Sequence, residues 1–283
     1  MKLAPGAFLL TAFLLPHSSF AQCSDAGVCS IGHRPSGDIK HSVFVSYTFG
    51  TSGKPDDLSF NSAEVGTEVG ITENSRLSFS IPFHSQSGPL GSSTGIGDLM
   101  VLWSQAILAE SDFLLNLQGG IKLPTGSVTA GGLPQSYQPG LGTTDLIFGI
   151  HGQTDEWGFA LAYQLAGGRS KNPITRLQRG DDFLLKAGYT IRFDRLSLTF
   201  EALAIKRLQE SSVLTSPAGQ PETFGNIPDS DQTQLNLVAR ASHPVNETLT
   251  LNAFLAIPTL NRTVNVDGLT RAIAVSAGLS VSL

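Results

Sequence analysis

The sequence is short of charge, of cysteine and of long apolar runs. Of its 283 residues only 14% are charged, and cysteine, methionine and tryptophan occur twice each. A membrane helix needs about 20 consecutive apolar residues, and no run of that length is present, so a helical membrane protein is excluded. The 18 Lys and Arg residues are outnumbered by 23 Asp and Glu, a formal charge of −5. Nothing therefore favours a nucleic-acid partner, which calls for a basic patch. Glycine, by contrast, is abundant at 30 residues, above the roughly 7% of average usage.

The N-terminus reads as an export signal. Met1-Lys2 precedes a largely apolar stretch from Leu3 to Leu15, and Ser19-Phe20-Ala21 places small residues where a signal peptidase needs them. Residues 1–21 are thus expected to be a signal peptide cut after Ala21. Pro5 and Pro16 interrupt the stretch, and Gln22 rather than a small residue precedes Cys23, which argues against a lipid-modified cysteine. Cleavage leaves 17 basic and 23 acidic residues, a formal charge of −6. Residues 22–40 form a polar periplasmic segment holding both cysteines, Cys23 and Cys29. In an exported chain a disulfide closing a small loop is the expected pairing. His33 would add a third ligand for copper or zinc, but an oxidising compartment favours the disulfide, and no metal or other cofactor is expected.

The rest, residues 41–283, alternates. From Phe183 to Phe193, Phe183, Leu185, Ala187, Tyr189 and Ile191 share one face, against Leu184, Lys186, Gly188, Thr190 and Arg192. After Asp194-Arg195 the pattern resumes through Leu196, Leu198, Phe200, Ala202 and Ala204. A period of two is that of a strand, and two arms of about ten residues suit a tilted bilayer crossing better than the five or six usual in soluble sheets. Twelve such strands are read: 41–50, 60–71, 76–83, 97–108, 113–123, 143–153, 157–166, 183–193, 196–205, 231–241, 248–257 and 270–283. Pro82 predicts a bulge or strand end. The connections alternate long and short, as bacterial barrels with short periplasmic turns and longer extracellular loops do. The expected fold is all-β: an antiparallel, up-and-down transmembrane β-barrel of about 12 strands, of outer-membrane type, with both termini periplasmic. Its last strand ends on Leu283, where barrels usually carry a terminal Phe.

The face opposite the apolar one would line the lumen. It carries Glu64, Glu68, Asp98, Lys122, Asp145, Lys186, Arg192, Glu201, Arg207 and Arg240, five acids and five bases, so a filter of one charge sign is not indicated. Lys186 and Glu201 lie diagonally across a hairpin, close enough to pair. Phe44, Leu203, Ile205, Val238 and Phe254 bring apolar surface to the same side. A barrel hydrolase would need a histidine base beside a serine, oriented by a third group. His84, His151 and His243 fall on scattered strand ends as expected rim residues, with no nucleophile motif near them, and an enzyme is not expected.

Three glycine- and aspartate-rich stretches carry a family likeness: Gly95-Ile96-Gly97-Asp98-Leu99, Gly120-Ile121-Lys122-Leu123-Pro124-Thr125-Gly126 and Gly140-Leu141-Gly142-Thr143-Thr144-Asp145. As a set, over about residues 95–152, they resemble the outer-membrane transporters named after the MetA-pathway of phenol degradation. The resemblance implies a channel for small compounds, apolar or aromatic ones included, in the bacterial outer membrane. Its partners would be outer-membrane lipids, a small-molecule solute and, during biogenesis, the barrel assembly machinery. The alternative is a structural or surface-binding barrel acting through its extracellular loops. Taken on their own, Asp98, Lys122 and Asp145 share an inward register near the outer rim, where a charge-paired cluster could either brace the wall or select solutes.

Overall fold

A computed structural model describes residues 41–53, 57–110 and 112–283. The expected signal peptide and the Cys23, Cys29 and His33 segment lie outside the described residues. Fifteen strands follow one another: β1 (His41–Thr51), β2 (Ser59–Thr72), β3 (Ser75–Gly88), β4 (Gly91–Ile96), β5 (Leu99–Ala109), β6 (Leu114–Leu123), β7 (Asp145–Gln153), β8 (Trp157–Leu165), β9 (Asp182–Phe193), β10 (Leu196–Arg207), β11 (Ser212–Leu214), β12 (Phe224–Asn226), β13 (Thr233–Pro244), β14 (Leu249–Leu260) and β15 (Ile273–Ser282). Single 3-10 turns at Ala130–Gly132 and Gln135–Tyr137 are the only helical pieces among the described residues.

The sheet closes on itself. Each wall strand pairs antiparallel with its neighbours, β1 pairs with β15 from Ser42↔Ser282 to Thr51↔Ile273, and β2 pairs with β3. Twelve of the thirteen strands in this sheet form the wall, with β4 an extension at one rim, while β11 and β12 make a separate small hairpin. The connections 73–74, 110–113, 154–156, 194–195 and 245–248 are short and gather at one rim, called here the turn rim. Those at 52–58, 124–144, 166–181, 208–232 and 261–272, with the β3–β4 excursion, gather at the loop rim. All twelve expected strands and the alternation of their connections are present.

The period of two places the side chains as the sequence implies. Val43, Val45, Tyr47, Phe159, Leu161, Leu185, Phe200 and Leu279 stand exposed on the outside, an apolar band that lipid would cover. Their neighbours turn inward: Leu184, Leu203, Ile205 and Val238 are buried, and the Phe44 ring lies over Gly66. A concavity of about 530 Å3 on the outer wall, lined by Ala187, Ala202 and Ala239 among aromatic neighbours, is a dent left by small outward side chains. It is not part of the lumen.

One expectation is corrected. β3 neither bulges nor ends at Pro82 but runs on to Gly88, because only one of its two ladders is interrupted. Its pairing with β5 stops at Ser80↔Met100 and its pairing with β4 begins at Phe83↔Ile96. Pro82 sits in the gap between the two partners, where its missing N–H costs no rung on that side. Its carbonyl accepts the Gly97 amide at 2.8 Å.

The register gives a direct test. Ala202 faces outward near the middle of β10, whereas Thr199 faces inward and shares a hydroxyl hydrogen bond of 3.0 Å with Thr190. Ala202→Arg should destabilise the barrel by about 2–4 kcal/mol in a bilayer unfolding titration, and Thr199→Arg by clearly less. Equal losses would refute the facing.

Candidate functional site: a lumen crossed by two loops

The lumen at the loop rim is built around Asp98, between β4 and β5. Its carboxylate accepts the Gly126 amide at 3.0 Å and the Leu141 amide at 2.7 Å, so it holds both ends of the connection 124–144 and turns that loop into the barrel. The approach is close enough to require glycine. A Cβ at Gly140 would stand 2.7 Å from Asp98 Oδ1 and 2.8 Å from Gly126, and one at Gly126 would meet the Gly140 Cα at 2.7 Å. Thr125 Oγ1 donates to the Gly97 carbonyl at 3.0 Å and accepts the Leu99 amide at 2.8 Å. The three motif stretches singled out in the sequence thus converge on one junction.

Beyond it the loop crosses towards β2, β3 and β4. Tyr137, 3% exposed, packs with Leu58 and Phe60. Its hydroxyl accepts the Leu90 amide at 3.1 Å, and Ser93 Oγ donates to its carbonyl. Gln86 Nε2 donates to the Gln138 carbonyl at 3.0 Å. Gln135 Nε2 donates to the Gly140 carbonyl at 2.7 Å, and its Oε1 accepts from Ser170 at 2.6 Å. Asn172 donates to the Val128 and Leu133 carbonyls at 2.8 and 2.9 Å.

The connection 261–272 folds in from the other side and is held by charge. Asp267 accepts from Arg207 Nη2 at 2.8 Å and lies 4.0 Å from Arg179 Nη1. Arg207 also pairs with Asp182 at 3.1 Å, Arg262 with Asp182 at 2.9 Å, and Arg179 with Asp145. None of these six side chains is more than 4% exposed. Asp145 further accepts from Thr143 Oγ1 at 2.9 Å and Gln164 Nε2 at 2.7 Å, and it stands opposite Lys122 across β6 and β7. The Arg271 guanidinium lies 3.4 Å over the Phe60 ring and donates to the Gly268 carbonyl. Gly268 has a φ of +73° and touches Ser136, so the two loops meet inside the barrel.

Leu141 and Leu269, near the C-terminal ends of the two loops, join Met100, Ile147, Ala160, Ala162, Leu184, Leu203 and Ile205 in one buried apolar cluster. Between loops and wall remains a cavity of about 20 Å3 lined by His84, Gln86, Lys122, Gln138 and Asp267 among others, room for one water.

Burial alone would raise the Asp267 pKa. Arg207, then Arg179 and Arg262, more than reverse this and hold its carboxyl well below the usual range. Burial likewise works against the Arg179 cation, but Asp145 and Asp267 outweigh it and its pKa is raised. For Arg262 burial prevails over Asp182 and the pKa is lowered. The loop contacts therefore stay ionised throughout the neutral range.

Of the predicted lumen residues, Asp98, Lys122, Asp145 and Arg207 gather at this closure. Lys186, Glu201 and Arg240 form a second group nearer the turn rim: Lys186 Nζ lies 3.8 Å from Glu201 Oε1, as expected, and Arg240 Nε donates to Glu201 Oε2 at 2.7 Å while its guanidinium lies 5.5 Å from the Phe254 ring. Glu64 and Glu68 are half-buried on β2, with Glu68 3.6 Å from Arg76. Arg192 sits exposed at the turn rim and donates to the Asp155 carbonyl. His243 is exposed as expected, but His84 and His151 are not rim residues: both are buried, at 5% and 3% exposure, because their positions carry inward registers. Sequence reasoning missed Arg179, Asp182, Arg262, Asp267, Arg271 and Tyr137. Arg179, Arg262, Asp267 and Tyr137 lie in loops expected to be external, Arg271 at the start of the expected strand 270–283, and the available signal was the apolar content of those loops, Leu141, Val264, Val266 and Leu269.

No protein-family model matches the chain, and no curated protein sequence matches it. Among solved structures it is similar to an outer membrane channel from Pseudomonas putida F1, at 15% identity and a TM-score of 0.63, over 89% of this chain and 97% of that one. The NanC porin aligns at 9% identity and a TM-score of 0.50, over 86% of this chain and 100% of that one. These likenesses establish the fold. It is an outer-membrane-type barrel.

Removing one partner from a buried ion network leaves an uncompensated charge, at a cost of about 3–5 kcal/mol. Arg207→Ala should lose about that much in a urea titration, whereas Arg192→Ala, at the exposed rim, should change little. The pH dependence follows from the depressed Asp267 carboxyl. Its contribution is complete above the unfolded carboxylate value, about 4, and is lost as pH falls through its lower folded value. Stability should accordingly be flat from pH 8 to pH 5 as far as this residue is concerned, and Asp267→Asn should remove part of the loss seen below pH 4.

Proposed function

We propose that the chain is an outer-membrane channel for small neutral or weakly polar compounds, apolar and aromatic ones included. The observation that carries this reading is the make-up of the interior. Its charges are compensated by one another, acid against base, and an apolar cluster of inward strand residues lies at the heart of an otherwise polar lumen. Such a lining offers no ring of one sign to concentrate an ion and does offer surface to a solute that leaves water readily. The fold shared with a solved channel and a porin supports the reading. So do the motif stretches that resemble a transporter family. On this reading the protein is exported by its signal peptide, inserted by the barrel assembly machinery among outer-membrane lipids, and is not an enzyme.

A second reading has one observation in its favour. The loop-rim half of the lumen is crossed by two loops that each bury a leucine, which is what a barrel acting only through its outer surface would also show. Liposome swelling separates the two. Refolded protein should admit small uncharged solutes, and planar-bilayer recordings should show little preference between cations and anions. If no solute of any size passes, the channel reading falls and the surface-binding one stands.

A further inference from the structure

We propose that Leu141 and Leu269 occupy a solute-binding site of the barrel itself, an apolar site of about two leucine side chains that a small neutral apolar molecule takes when the 261–272 loop is displaced. The inference rests on the channel reading and adds to it a place and a mode of occupancy.

The wall of the site belongs to the strands. Met100 of β5, Ile147 of β7, Ala162 of β8, Leu184 of β9 and Leu203 and Ile205 of β10 face inward and are buried together. Leu102 extends the apolar side of β5, and other inward positions on these strands are polar: Ser104, His151, Gln164 and Lys186. The apolar patch is therefore local, with polar residues at other levels of the same strands. Among the described residues, the buried apolar cluster takes in no strand residue of the opposite wall and is completed by a pair of loop leucines, each carried beside a glycine, in Gly140-Leu141-Gly142 and Gly268-Leu269.

The two loops are held differently. The first is fixed through backbone amides on Asp98 and through the Gln135, Gln138 and Asn172 side chains. The second is held inward chiefly by ion pairs of Arg262 and Asp267 with residues of β9 and β10, by the Asp267 approach to Arg179, and by Arg271 on Phe60. Water can solvate every one of those groups if the loop moves outward, so the loop exchanges ion pairs for hydration. The leucine it withdraws leaves an apolar surface that an apolar solute covers better than water does. Solute and Leu269 then compete for one place, and apparent affinity scales with the fraction of molecules in which the loop is out.

Met100 provides the test, since the chain has only one other methionine, Met1 in the expected signal. Full-length mature protein in detergent, labelled with 13C-methyl methionine, is titrated with benzyl alcohol, a neutral, water-soluble aromatic whose ring current shifts nearby methyls. The Met100 resonance should move saturably. In Asp267→Asn, and independently in Arg262→Gln, half-saturation should come at a benzyl alcohol concentration lower by about tenfold, from the larger open fraction. A linear drift without saturation in wild type and in the folded variants would overturn the proposal, as would equal half-saturation in all three. Swelling assays on the same preparations keep the two readings apart: flux without a saturable Met100 shift retains the channel and removes this site, and a saturable shift without flux retains the site and removes the channel.

Discussion

Everything in this molecule depends on the closure of its hydrogen-bond ladder. In hydrocarbon an unpaired amide or carbonyl costs several kcal/mol, so a sheet can live there only without edges. Here the first strand completes the last, from Ser42↔Ser282 to Thr51↔Ile273, and no wall strand among the described residues is left with an open side. Once the ring is shut, the facing of each side chain follows from the period of two. A slip by one residue would bring Val43, Val45 and Tyr47 into the lumen and put Glu64 and Glu68 in the lipid. The apolar band and the mixed interior are both consequences of one register.

The interior is assembled with two unlike kinds of contact. Apolar burial is indifferent to which leucine lies where, while an ion pair is not, because a misplaced partner strands a charge out of water at a cost of several kcal/mol. The aspartates and arginines of the closure lie on β7, β9, β10 and two connections, and each side chain has its counterpart on another segment. Such a network adds little net stability over well-packed apolar side chains. It does fix where each loop docks.

The wall was legible because membrane strands are long, and neither a helix nor a loop keeps a period of two over about ten residues. Lys186 diagonal to Glu201 followed from the register alone, and so did the inward placement of Asp98, Lys122, Asp145 and Arg207. The loops were not legible. Asp267 and Arg262 lie in a connection expected to stand outside the barrel, and nothing local shows that a loop leaves its own strands to pair with side chains of β9 and β10. The glycines of the three motif stretches were visible as turns, but their meeting around one carboxylate depends on contacts between residues such as Asp98 and Leu141, forty-three positions apart. His84 and His151 were placed at the rim by their closeness to strand ends, when strand parity should have taken precedence.

The change of partner at Pro82 leaves one junction of the wall shorter than the rest. β3 meets β5 over Ser75–Ser80 only, whereas β9 and β10 are laddered along the whole of Leu196–Arg207. Beyond Ser80 the seam continues as six pairs between β3 and β4, from Phe83↔Ile96 to Gly88↔Gly91, with the Pro82 carbonyl on the Gly97 amide at the changeover and Thr125 bridging Gly97 and Leu99 beside it. Asp98 adds its grip on the inward loop just beside them. The interruption in this seam therefore falls at the changeover from β4 to β5, around Gly97 and Asp98. The glycine and aspartate stretches then act as the rivets of the seam, tying the mechanical continuity of the wall to the loop inside it.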